Sequence, residues 1–128
     1  MLAYDPDHFP DPDQWLALDE QLRIRLVEQF HRKARVQLPN VKAHAAFHAI
    51  VENQVAMQLP SVVRAMERLS KQGLSRHDCI HAIGWVLVQH FHELMNTDSG
   101  DTSPVVQARY DAAVERLTAA GWRAQVEE

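Results

Sequence analysis

The chain has 128 residues, 46% of them apolar and 23% charged, with a formal net charge of −4. That is enough chain to bury a core without disulfide staples, and its single cysteine, Cys79, excludes an internal disulfide and fits a reducing compartment. The acidic balance gives no reason to expect nucleic acid or an anionic lipid surface as a partner.

Residues 1–10, MLAYDPDHFP, read as an extended arm, because Pro6 and Pro10 hinder helix formation. This stretch carries neither the basic region nor the apolar run of a secretory signal. The best apolar run, AIGWVLV, falls far short of the roughly 20 residues that span a bilayer. The expectation is a soluble, cytoplasmic protein.

No stretch alternates with period two, and apolar spacing points to helices throughout. The first helix starts near Pro12, with Asp11 as N-cap and Gln14 at N3. Its inner stripe is Trp15, Leu18, Leu22, Leu26 and Phe30, and its last turns, HRKAR, gather cations at the carbonyl end of the helix. Asn40 caps a second helix running to about Gln58. Pro60 opens a third, which Gly73 terminates. Ser75 caps a fourth that continues to about Leu94, with Asp78 placed to complete a capping box. The polar NTDSGDTS is a loop. Ser103-Pro104 then opens a fifth helix ending before Gly121, and a tail follows that Trp122 anchors. The fold class expected is all-α: one domain over 1–128, with an arm over 1–10, about five helices over 11–120 and a tail over 121–128. Its second and fourth helices should be adjacent in the core.

Histidine is the one unusual entry in the composition, at eight copies. His44 and His48 stand four apart with Glu52 four further on, and His77 and His81 repeat the spacing. On a helix, residues i and i+4 share a face with β-carbons about 5–6 Å apart, so one rigid element can aim two imidazoles at one ion. His44, His48 and Glu52 lie beside the apolar Phe47, Val51 and Val55. His77 and His81 share a stripe with Gly84, Val88, Phe91 and Met95, so both pairs should face inward. Buried imidazoles need partners, and a metal satisfies several nitrogens at once. Glu52 can serve such a site as ligand, as acceptor orienting an imidazole, or as general base. His8, His31, His90 and His92 read as solvated residues, with His31 the best placed of them as an extra ligand.

Other constellations read as structure. HDCIH has the spacing of the zinc-protease helix with Asp in place of Glu, but Asp78 has a capping duty and no edge strand is visible for a peptide. The ferritin-like Glu-x-x-His pattern is absent. The segment around KQGLSRHD leads into a buried helix rather than a base-reading one. Arg23, Arg25, Arg32, Lys33 and Arg35 form a solvated face. Cys79 points away from the histidine stripe, there is no glycine-rich phosphate loop, and DPDHFPDPD lacks EF-hand spacing.

The ordered combination of WLALDEQLRIRLVEQFH, HAAFHAIVENQ and RLSKQGLSRHDCIHAIG, spanning residues 13–95, is similar to small bacterial proteins of the family called domain of unknown function 1841. Those proteins pair an H-x-x-x-H helix and an E-Q or E-N-Q step with a second histidine pair. In this chain GWVLVQ stands where carboxylates would follow the second pair, which weakens an inherited two-metal site. The resemblance implies a bacterial, cytoplasmic helical protein and brings no activity with it.

Two readings of the histidines stand side by side. In one, His44, His48, His77 and His81, with Glu52 close by, bind a transition metal in the core. Zinc is the default ion, with iron, nickel, copper or manganese open. In the other, the chain is a noncatalytic interaction module, a homodimer for instance, whose histidines form a buried hydrogen-bond network. Enzymatic use of the site with Glu52 as base is a third possibility, for which the sequence ranks no substrate or small-molecule ligand.

Overall fold

The computed structural model describes residues 3–8, 10–33, 41–96 and 103–126. Among these residues the chain is all-helical, with seven helices and no strand. They fall into two compact units, Met1–Leu59 and Pro60–Glu128. The expected cap Asn40, the LPN break and most of the NTDSGDTS loop lie outside the described residues.

The first unit holds α1 (Pro12–Ala17), α2 (Glu20–Lys33) and α3 (Val41–Ala56). Asp11 caps α1 as expected, accepting from the amides of Asp13 at 2.9 Å and Gln14 at 3.1 Å. The single first helix, however, is two. Leu18 is extended (φ −75°, ψ 147°) and ends α1, and Asp19 and Glu20 then restart the chain with residue types that suit a helix N-terminus. Arg23 secures the break by donating from Nη2 to the Leu16 carbonyl at 2.8 Å. This guanidinium also reaches Asn53 Oδ1 at 3.1 Å, so Arg23 is half-buried rather than part of a solvated basic face.

The break lets Trp15 turn fully into the core, against Tyr4, Leu26, Val27, Ala45 and Ala49. Its indole N–H donates to Asn53 Oδ1 at 2.9 Å, so the ring is buried without an orphan donor. Leu22, expected on the inner stripe, is 36% exposed, because the stripe drawn through one continuous helix does not survive the change of direction at Leu18. α3 packs on both α1 and α2. It ends in a Schellman-type turn: Gln58 adopts φ 57° and the Leu59 amide donates to the Gln54 carbonyl at 3.0 Å.

The second unit holds α4 (Pro60–Lys71), α5 (Arg76–Asn96), α6 (Ser103–Arg116) and α7 (Ala119–Val126). α4, α5 and α6 pack against one another. Gly73 ends α4 at φ 98°, as its place in the sequence implies, and the Ser75 hydroxyl oxygen caps α5 by accepting from the Asp78 amide at 3.1 Å. The buried line of α5 is Cys79, Ile80, Ala82, Ile83 and Val86. The inward stripe drawn through Phe91 and Met95 is corrected, for these are 49% and 70% exposed.

The expected fifth helix is also two, and the expected tail is helical. Thr118 starts α7 by accepting from the Gly121 amide at 3.0 Å, a cap inside RLTAAG. α4 holds the junction. Arg68 Nη2 donates to the carbonyls of Val114 at 2.8 Å and Leu117 at 3.0 Å, and Gln72 Oε1 accepts from the Ala119 amide at 2.7 Å. The Val114 carbonyl also accepts from the Leu117 amide at 3.2 Å, so Arg68 adds its donors to the closing turn of α6. Among the described residues no helix is long and apolar enough to cross a membrane.

Candidate metal centre

The first unit assembles three histidines from two helices. His44 and His48 lie one turn apart on α3, and the last turns of α2 bring His31 beside them. The ligand nitrogens of these three residues lie within 4.8 Å of one another. His31 and His48 are buried and His44 is half-buried. Ring centroids are 4.6 Å apart for His31 and His44, 5.4 Å for His31 and His48, and 6.0 Å for His44 and His48.

His31 was expected in solvent and is instead fully buried. It continues the buried line of Leu26 and Val27, and α3 covers that face of α2. Its Nδ1 lies 2.8 Å from the Val27 carbonyl. A carbonyl only accepts, so Nδ1 carries a proton, and the neutral form of the ring has its lone pair at Nε2. Such a backbone acceptor fixes the tautomer of metal-ligating histidines. His44 Nε2 lies 3.1 Å from His31 Nε2 and, facing that lone pair, is the hydrogen-bond donor, a proton that an ion bound there would displace. Ligands at zinc–nitrogen distances of 2.0–2.1 Å in a tetrahedron stand about 3.3 Å apart, so this pair needs little movement to share an ion.

A second chain of contacts runs behind His48. Tyr4, from the N-terminal arm, is buried and donates its hydroxyl proton to Glu52 Oε2. The Tyr4 hydroxyl oxygen lies 2.8 Å from His48 Nε2. With the one hydroxyl hydrogen given to Glu52, Tyr4 accepts from His48, which places the lone pair of a neutral His48 at Nδ1. The tyrosine ring packs on Trp15, Phe30 and His48 at centroid distances of 5.5, 6.3 and 5.4 Å. Glu52 is fully buried and stands outside the set of close ligand nitrogens, as an acceptor behind it. Tyr4 went unmarked in the sequence. Its only signal was an aromatic side chain beside the proline-punctuated acidic stretch DPDHFPDPD.

His77 and His81 belong to the second unit, where they form a half-buried pair on α5 with ring centroids 4.2 Å apart. His8 is exposed, as expected, with its Nδ1 2.7 Å from Asp5. His92 is exposed too, whereas His90 is half-buried beside Tyr110 at 5.5 Å. Cys79 is buried among the carbonyls of Met66 and Leu74, each 3.9 Å from Sγ. Burial and the neighbouring Asp78 carboxylate push its thiol up to about 11, which keeps it protonated and unsuited to nucleophilic work.

Comparison with protein-family models, with curated proteins and with solved structures finds no match for the chain.

Proposed function

We propose that this protein binds a transition-metal ion through His31, His44 and His48, with zinc as the first choice and iron, nickel, copper or manganese as alternatives. The observation that carries the reading is the His31–His44 contact, two Nε2 atoms 3.1 Å apart, one of them already holding its lone pair toward the other. The donor set is all imidazole, which suits late first-row ions. Tyr4 and Glu52 orient His48 from behind. When bound, the ion would supply Lewis acidity, while this chain's own residues hold the tautomers and exclude water from the buried side. No reaction is assigned.

The test is metal analysis of protein purified without a histidine tag, followed by titration with zinc. One ion per chain, lost in His31→Gln and His44→Gln variants that keep their helical content, supports the reading. A metal-free protein that takes up no zinc overturns it. The expectation that the second histidine pair serves the same ion is read from His81→Gln in that series.

The buried-network alternative has its own support, because the Val27–His31–His44 bonds and the Tyr4, His48 and Glu52 bonds are each satisfied without an ion. It calls for a noncatalytic module whose melting is indifferent to chelators.

A further inference from the structure

The second unit has a half-open cavity of about 600 Å³ that the histidine cluster does not use, formed by α5, α6 and α7. Its size falls in the range of small-molecule sites. One wall is α6, which presents Arg109, Ala112, Ala113 and Arg116. Those positions follow i, i+3, i+4, i+7, so they share one face, with two small residues between two guanidiniums set about 10 Å apart along the axis. The alanines keep the floor low and the arginines stand at its ends. The facing wall is α5, where the half-buried indole of Trp85 and the buried Val86 give an apolar surface.

The charge of the lining is uneven. Two guanidiniums face one carboxylate, that of Glu93, and Arg116 has no ion-pair partner among the described residues. A flat apolar wall with an excess cation opposite selects an amphiphile: a ring that packs on indole and a carboxylate that meets a guanidinium fork. We infer that this cavity binds a small aromatic carboxylate, its ring against Trp85 and its charge on Arg116, with Arg109 as the second cation. The inference is independent of the metal reading and uses none of its residues.

The probe is 1-naphthoate, titrated into the full chain by calorimetry, with amide chemical shifts followed by NMR. A single saturable site is expected, with a dissociation constant below about 1 mM for a ligand of this size. Shifts should concentrate in α5, α6 and α7. Arg116→Gln should weaken binding about tenfold or more, as should replacing the probe by neutral 1-naphthalenemethanol. Ala112→Leu, at an exposed position that leaves the fold intact, should block the site by filling its floor. No saturation by several millimolar probe, equal binding of the neutral alcohol, or shifts spread outside these three helices overturns the inference.

Discussion

The hydroxyl of Tyr4 has one proton to give, and Glu52 takes it, so the ring nitrogen of His48 on the same oxygen must be the donor. Tyr4→Phe removes both contacts and leaves two buried polar groups to find new ones. We expect a loss of about 1–3 kcal/mol in stability by urea melting. Metal affinity should fall about 10–100-fold in competition with a chromophoric chelator, the range for removing a group that orients a ligand. A Tyr4→Phe protein with unchanged metal affinity would separate the relay from the site. Cys79 makes a second residue-level prediction. Its thiol ionises from about pH 9.0 in the unfolded chain and at about 11 in the folded one. An acid whose value is raised by folding adds stability below the lower value and loses it as pH climbs through the upper one. Urea melts between pH 8 and 11 should therefore show a decline that Cys79→Ala lacks, and native Cys79 should resist iodoacetamide at pH 8.

At the scale of elements, the caps at Asp11, Gly73 and Ser75 were legible, while the breaks, and with them the cap at Thr118, were not. Asp11, Gly73 and Ser75 act where their residue types place them, because each works through its own backbone or the next turn. The divisions at Leu18 and Leu117 depend on side chains remote in sequence or unremarkable by type. Arg23 secures one, and Arg68 and Gln72 from α4 secure the other. No local period reports such a partner. Arg68→Ala should uncouple that junction. We expect a cost of about 1.5–3 kcal/mol for losing bonds from a charged donor, with faster amide exchange in residues 119–126. Gln58 allows an opposite experiment. It holds a left-handed φ of 57°, so Gln58→Gly should stabilise by about 1 kcal/mol in thermal melts despite the entropy of glycine.

For the molecule as a whole, the helical class followed directly from the apolar spacing, while the division into two units did not. A candidate site was legible in its α3 half, through the His44–His48–Glu52 row. The other half was hidden because His31 and Tyr4 sit in segments that read as solvated. What buries them is packing against α3 and Trp15, a long-range fact with no local signature. If the proposed ion binds, zinc at a hundredfold excess over its dissociation constant should add about 2.7 kcal/mol by mass action. Hydrogen exchange should slow chiefly in residues 12–33 and 41–56. Uniform protection across the chain, or none, would count against a site built from His31, His44 and His48.

The placement of the indoles has a practical outcome. Trp15 lies in the first unit, 5.5 Å from the Tyr4 ring that bonds His48, while Trp85 and Trp122 belong to the second. A chain keeping only Trp15 becomes a fluorescent reporter for copper or cobalt, whose paramagnetism quenches emission at short range. A chain keeping only Trp85 reports on the α5–α6–α7 hollow instead, so each site is followed through its own single-tryptophan variant.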